Sequence, residues 1–264
     1  MDLGIAGKIA FVAGGSKGMG RSVALTLGEE GCHVGVVARG RPGIDAVVEE
    51  IKSKGGSAVG ISADLCSRDD VNRAVAELTK VFGAAPDIVV GQTSDMTFGG
   101  FDDVTDEDIE RVFRTFTMAQ VYLARATLPA MQAKKWGRYI HIGAPNGREP
   151  EFGFPHLSHN IARPSTVAFL RTLANSVARD GVTINTVAPG YTETPTLVDL
   201  FKDEFGVSLA EGEAQLVNRG DIPMGRLGQP EEIAGLVTFL ASKWAGYITG
   251  EWIIVAGGKH RFAA

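Results

Sequence analysis

Short apolar runs alternate along this chain with longer segments whose apolar positions recur at helical spacing. "KIAFVAG" (Lys8–Gly14) leads into a helix near Met19–Gly31, and "HVGVVAR" (His33–Arg39) into a segment where Val47, Val48 and Ile51 share one face. "SAVGISADL", "PDIVVGQ", "GRYIHIGA", "GVTINTVAPG" and "EWIIVAGG" repeat the pattern, with amphipathic stretches between them. Strands apolar along their whole length are buried on both faces by flanking helices. Seven such strands alternating with helices predict an α/β fold. Its centre is a doubly wound seven-stranded parallel β-sheet with right-handed crossovers and helices on both faces. Gly31, Gly55 and Gly83 follow the periodic segments, where a left-handed residue closes a helix. Neither a repeat nor a low-complexity linker interrupts residues 1–264, so a single domain is expected. Two short helices at about 191–222 are expected to form a lid over a substrate.

Composition narrows the function. With 44% apolar residues in 264, the chain can bury a substantial core. A net charge of −5 without a basic run argues against nucleic-acid binding. No apolar run approaches the roughly 18 residues of a membrane span. The N-terminus reads as a first strand rather than a signal peptide. Cys32 and Cys66 make no metal pattern and read as free thiols, so a cytoplasmic location and no metal are expected.

The turn after the first strand, "VAGGSKGMG", carries the first chemistry. Gly14 can make the sharp turn. Gly18 lets a pyrophosphate approach the backbone, and Gly20 lets the helix pack close to the sheet. Ser16, Lys17 and Met19 lie between them, and the helix N-terminus offers unpaired N–H groups and a partial positive charge to phosphate. A turn without a ligand is the alternative. At the end of the second strand an acid would bond a ribose 2′-hydroxyl, but this chain has Arg39, with Lys17 and Arg41 nearby. Those cations favour NADP(H) over NAD(H), the alternative being solvated surface charge.

Several motifs in order then resemble the short-chain dehydrogenase/reductase family over nearly the whole length. They are "AGGSKGMG", "ADL" (Ala63–Leu65), "GRYIHIG" (Gly137–Gly143), "TINTVAPGYTET" (Thr183–Thr194), "RLGQPEEIAGLVTFLAS" (Arg226–Ser242) and "YITGEWIIVAGG". The resemblance implies a Rossmann-type fold and an oxidoreductase acting on a small-molecule substrate. It places Asp64 and Leu65 by the adenine, Gly91 at the cofactor, and Pro189, Gly190, Thr192 and Thr194 at the nicotinamide and pyrophosphate. It also implies a homotetramer, or a homodimer, packed through the two long central helices and the last strand.

The positions that carry chemistry in that family differ here. Its Asn-Asn-Ala-Gly falls on "GQTS" (Gly91–Ser94), its helix asparagine on Phe116, its serine on Ala144, and its tyrosine and lysine on His159 and Arg163. Histidine exchanges protons near neutral pH. Arg163 stays charged, can hold ribose hydroxyls, and lowers the pKa of His159, a tilt towards alcohol oxidation. Glu149 or Glu151 could reverse that tilt. Asn146, Ser158, Ser94 and His156 are candidates for the donor that Ala144 lacks; Phe116 packs in the core or narrows the pocket. Pro164 is comfortable at a helix start. It leaves two geometries open: a helix beginning near Arg163, or an earlier start with Pro164 in its first turn.

The expected function is an NADP(H)-dependent oxidoreductase for a small or medium alcohol or ketone, with His159 and Arg163 as the catalytic pair. The alternatives are a redox-inactive cofactor-binding protein, such as a sensor or an inactive oligomer partner, and a non-redox isomerase or dehydratase.

Overall fold

Seven parallel strands in the order β3-β2-β1-β4-β5-β6-β7 form the centre of the computed structural model, which describes residues 1–151 and 155–260. The strands are β1 (Ile9–Ala13), β2 (His33–Ala38), β3 (Ser57–Ser62), β4 (Ile88–Gln92), β5 (Gly137–Ile142), β6 (Val182–Pro189) and β7 (Trp252–Val255). Every residue of β1, β5 and β6 is buried, the polar Arg138, His141, Thr183, Asn185 and Thr186 included, whereas β7 is a half-buried edge.

Helices cover both faces. On one, α1 (Gly18–Glu29), α2 (Arg41–Ser53) and α9 (Pro230–Ala241) pack Val23, Leu27, Ile44, Val47, Ile51, Val237 and Leu240 against Val12, Val34, Val36 and Val90. On the other, α3 (Arg68–Phe82), α5 (Ala119–Lys134) and α6 (Leu157–Val177) pack Val71, Leu78, Leu123, Met131, Leu170 and Ala174 against Phe11, Val89, Tyr139 and Ile184. Each fully buried side chain of this size stabilises the fold by about 1.5–3 kcal/mol before entropy is counted. Helix ends follow local chemistry. Ser67 caps α3 by accepting from the Asp70 N–H, and Gly83 closes it in the left-handed conformation at φ 79°. Gly31 and Gly55 are left-handed as expected, at φ 79° and 82°.

Three features position the site. Strand order reverses between β1 and β4, which opens a crevice at the carboxyl ends of the sheet. The helix α4 (Asp106–Phe113) runs into α5 through one π-helical turn, Arg114–Met118, which turns Phe116 inward against Val112 and Ala162. The helices α7 (Pro195–Phe205) and α8 (Leu209–Asn218) lie in the segment expected to form a lid. They share a small apolar core in which Phe201 and Leu216 meet Tyr191, Leu197, Ile222 and Leu227. Phe201 is thus packed against its own segment.

Candidate active site

The glycine turn is built for close approach. Gly14 and Gly18 have φ 65° and 54°, and a Cβ on Gly20 would overlap the Gly14 carbonyl oxygen and stand 2.8 Å from Gln92 Oε1. The first turn of α1 begins at Gly18, and Lys17, its N-cap, contributes no side-chain acceptor to the leading N–H groups. Thr194, which caps α7, leans on the turn: a Cβ on Gly18 would sit 3.3 Å from its Cγ2. A pyrophosphate fits this cradle, because glycines leave the backbone bare and no side chain caps the leading N–H groups of α1.

Around the ribose end the cations separate. Arg41 is committed to Asp45, 2.9 Å away, and to the Gly60 carbonyl at 3.0 Å. Lys17 and Arg39 are exposed, and neither has an ion-pair partner among the described residues. Asp64 Oδ1 accepts from the Cys66 N–H at 2.9 Å and Leu65 is buried behind it. Ser16 stands against Gly43, and Met19 packs on the α1 side of the core. Gly91 lies within β4, where its carbonyl accepts from His141 Nδ1 at 3.0 Å and a Cβ would overlap Gln120 Oε1. Pro189, Gly190 and Thr192 close β6; the Gly190 N–H donates to Val255 O at 2.9 Å, and Thr192 Oγ1 to Gly190 O at 3.2 Å. Both cysteines are free, and no group of metal-binding side chains occurs among the described residues.

The structure corrects both geometries considered for Pro164. Helix α6 starts at Leu157, so Pro164 lies inside it, beyond the first turn. The start is fixed from outside: Gly99 pairs with His156, the Gly99 N–H donates to Pro155 O at 2.8 Å, and the Leu157 N–H donates to Gly99 O at 3.3 Å. His159 and Arg163 therefore sit one helical turn apart, at the i,i+4 spacing.

His159 is 4% exposed. Its ring stacks on His156 with centroids 4.9 Å apart and meets the Phe116 edge at 5.2 Å. Phe98, brought in by the Gly99 pairing, tilts onto both imidazoles. Burial, reinforced by the Arg163 charge and by His156, pulls the His159 pKa down to about 3. Titration near neutrality, expected from the residue type, is thereby replaced by an imidazole that is neutral throughout the physiological range.

The Arg163 guanidinium lies over the Phe116 ring, 4.1 Å from its centroid, and burial lowers its pKa to about 10. Its nearest acid, Asp95, is engaged by Arg111. Of the donors considered in place of a serine at Ala144, Ser94 is exposed, whereas Ser158 and Asn146 are buried. Asn146 donates to Asn160 Oδ1 at 3.3 Å. Gln92 Oε1, Thr93 Oγ1, Asn146 Oδ1, Ser158 Oγ, His159 Nε2 and Arg163 Nε are buried without hydrogen-bond partners among the described residues. Buried polar atoms are otherwise nearly always paired. Their concentration where β4, β5 and α6 meet fits a polar ligand.

Sequence reasoning missed Gln92, Phe98 and Asn160. Gln92 was passed over as part of a changed motif, although its place beside the glycine turn follows from β1 pairing with β4. Phe98 has no local signal, because it acts through a loop pairing with residues far along the chain.

Comparison with known proteins agrees with this architecture. The family model described as enoyl-(acyl carrier protein) reductase matches residues 13–260. The chain belongs to the short-chain dehydrogenase/reductase family, a family of oxidoreductases with this Rossmann-type fold. It is 33% identical over 258 residues to a 3-oxoacyl-[acyl-carrier-protein] reductase of Pseudomonas aeruginosa, covering 98% of this chain and 99% of the relative. It is 32% identical to versicolorin reductase of Emericella nidulans, covering 97% and 96%. The crystal structure of L-sorbose reductase from Gluconobacter frateurii, complexed with NADPH and L-sorbose, superposes with a TM-score of 0.92 at 29% identity. That match covers 99% of this chain and all of the other.

Proposed function

We propose that this protein is an NADP(H)-dependent oxidoreductase that interconverts a small or medium alcohol and ketone, with His159 where the family's tyrosine would stand. One observation carries the reading: two buried nitrogens without partners among the described residues, His159 Nε2 and Arg163 Nε, a helical turn apart beside a glycine cradle. Gly14, Ser16, Gly18, Met19 and Gly20 would hold the pyrophosphate. Lys17 and Arg39 would hold the adenosine 2′-phosphate, Asp64, Leu65 and Gly91 the adenine side and inner wall, and Pro189, Gly190, Thr192 and Thr194 the nicotinamide half. Arg163 would also hold ribose hydroxyls. NADPH, which the sorbose reductase structure contains, supports the cofactor choice; bound here it would supply the hydride.

The chain's own residues then handle charge. A neutral imidazole would donate its single N–H to the carbonyl oxygen as a hydrogen bond and polarise it while keeping that proton, so the low pKa of His159 suits an electrophilic role, and the proton that turns the alkoxide into an alcohol would come from solvent. Arg163, fixed on Phe116, places a full positive charge where negative charge grows on that oxygen. Such preorganised donors are worth about 3 kcal/mol each in transition-state stabilisation. Phe98 and His156 keep water from the ring and strengthen both interactions.

Self-assembly belongs to the same reading. The edge strand β7 is half-buried, and Trp244 and Tyr247 beside it are 57% and 102% exposed. A homodimer or homotetramer would cover them. Two free thiols suit a reducing cytoplasm. No described helix is long and apolar enough to cross a membrane.

The test is a titration of NADP⁺ against NAD⁺, followed by NADPH oxidation with a panel of ketones for the parent protein, His159→Phe and Arg163→Met. Preference for NADP⁺ with turnover lost in both variants is the expected result. Tight cofactor binding without turnover on any carbonyl would leave a redox-inactive binding protein, the second reading that the low His159 pKa favours.

A further inference from the structure

Arg163 carries a guanidinium that no described residue claims. Its Nε is buried without a hydrogen-bond partner among the described residues, and neither Nη donates to any of them. It forms no ion pair with a described carboxylate. What it touches is a ring: its guanidinium carbon stands 4.1 Å from the Phe116 centroid. A ring face attracts a cation but leaves the in-plane donors of the fork unsatisfied. Arg138 shows the ordinary solution. Only 4% exposed, it donates to the carbonyls of Gly137, Gly181 and Ser242.

The charges around Arg163 are already assigned. Asp95, whose field reaches it, is held by Arg111 and accepts the Thr97 N–H at 2.9 Å. Arg111 also serves Asp108 at 2.8 Å. Glu151 is paired with Lys259 at 2.7 Å. His156 and His159 are neutral at physiological pH. Arg163, with a pKa of about 10, is still charged there and has no contact that neutralises it. Its position matters as much as its charge. The His159 ring and the Arg163 head rest on the same Phe116 ring, 5.2 Å and 4.1 Å from its centroid, one helical turn apart. A group held by the guanidinium therefore lies beside a group held by the imidazole.

This chemistry selects a planar acceptor with one negative charge. A guanidinium fork matches the two oxygens of a carboxylate bidentately. Ribose hydroxyls alone would occupy donors and leave the charge uncompensated, at a desolvation cost that an anion removes. The pyrophosphate has its own donors at α1, which packs on the opposite face of the sheet from α6. A dianionic phosphate would bring a second negative charge, for which the two neutral imidazoles offer no counterpart.

We propose that Arg163 binds a carboxylate of the substrate while His159 faces its carbonyl. The substrate class is then a short 2-oxo or 3-oxo acid, or the matching hydroxy acid in the reverse direction, rather than a neutral ketone. The keto carbon takes a hydride from NADPH and its oxygen a proton from solvent, giving the hydroxy acid and NADP⁺ with the carboxylate unchanged. This assignment rests on the oxidoreductase reading above, and it leaves a donor of the second Nη for a ribose hydroxyl.

Pyruvate, 2-oxobutanoate and acetoacetate are each compared with their primary amides, which have nearly the same shape and no charge. Dissociation constants are measured by calorimetry on the full chain saturated with NADP⁺, which permits binding without reduction. At least one acid is expected to bind about tenfold to a hundredfold tighter than its amide, the value of a charged hydrogen bond. In Arg163→Met, which keeps the stem and loses the charge, that ratio should fall to about one while the affinity for the amide stays within about threefold. Absence of acid preference in every pair overturns the assignment, and this comparison in the parent protein holds whether or not the variant folds. A preference that survives in Arg163→Met overturns it too, as does a parallel loss of acid and amide. NADPH oxidation is recorded separately with the same compounds and with butanone. Acid preference without turnover of any compound would refute the oxidoreductase reading alone, and turnover of butanone without acid preference would refute the carboxylate site alone.

Discussion

The imidazole rings of His156 and His159 lie stacked, 4.9 Å between centroids and 16° from parallel. Stacked rings this close cannot both carry a proton, and burial beside Arg163 leaves neither charged at neutral pH. The pair is a polar surface of fixed dipoles, screened by Phe98 and Phe116, rather than a proton store.

Acid should therefore destabilise the fold through this pair. In the unfolded chain each ring takes up a proton near pH 6.5, whereas in the folded protein the values fall to about 4 for His156 and about 3 for His159. Between those values the unfolded state binds more protons, so stability is lost as pH falls from 6.5 towards 4. Urea unfolding at pH 7.5 and 4.5 should show the parent protein losing on the order of 5 kcal/mol more than a His156→Phe, His159→Phe double variant. Equal losses would contradict the burial. The same logic removes any near-neutral limb assigned to His159 from the pH–rate profile.

Gly20→Ala should disable the cofactor mouth. Its Cβ would overlap the Gly14 carbonyl oxygen, a backbone atom that cannot swing aside, and would press on Gln92. Overpacking of this kind costs about 1–3 kcal/mol. Because the displaced turn is the phosphate cradle, NADPH affinity should fall by at least about tenfold, the equivalent of about 1.4 kcal/mol. Gly18→Ala is the milder change, with a left-handed backbone costing about 1–2 kcal/mol and contact with the Thr194 side chain and Pro195 at 3.3 Å or more. Thermal midpoints and NADPH fluorescence titrations of the two variants should rank in that order.

Much of this was legible from residue order, for identifiable reasons. Strands such as "KIAFVAG" are apolar throughout because two helical layers cover them, and Gly14, Gly18 and Gly20 are spaced by the geometry of a strand-to-helix turn. Pro164 misled because a proline is most comfortable at a helix start. Here the start is dictated by Gly99 pairing with His156, a contact between distant segments with no local sequence trace. The lowering of the His159 pKa by Arg163 was legible in the sequence, but the larger part due to burial was not, because Phe98 and Phe116 reach the ring from distant segments. Arg41 looked equivalent to Arg39 until Asp45 and the Gly60 carbonyl were seen to claim it.

Cofactor preference should respond to Arg39 and not to Arg41. Arg39 stands exposed at the end of β2 without an ion-pair partner among the described residues. Arg39→Asp would repel a 2′-phosphate and bond a 2′-hydroxyl instead. Exchanging one attractive contact for one repulsive contact should shift the NADP⁺-to-NAD⁺ affinity ratio towards NAD⁺ by about a hundredfold, or about 3 kcal/mol. Arg41→Met should leave that ratio within about threefold of the parent value, since its guanidinium already serves α2 and β3. Calorimetric titration of both dinucleotides against both variants checks the pair. An equal response would mean that the ribose is held elsewhere.

Pro164→Ala should stabilise the protein without disturbing the catalytic spacing. Proline at this position has no N–H to return to the Asn160 carbonyl, and an interior proline costs a helix about 3 kcal/mol. The helix nonetheless runs unbroken from Leu157 to Val177, because its first turns are held from outside. Thr117, on the π-helical turn, donates to the Ala162 carbonyl at 3.0 Å and meets the Thr166 hydroxyl at 3.1 Å. On the opposite side, Asn160 is locked to Glu151 and Asn146. An alanine restores the missing donor at a residue already in helical conformation, so urea unfolding should show a gain of about 1–3 kcal/mol. His159 and Arg163 keep their places against Phe116, so kcat/KM should stay within about threefold of the parent value. A gain in stability accompanied by a large fall in kcat/KM would show that the proline itself sets the spacing of the pair, and no gain would show that the Asn160 carbonyl is already satisfied.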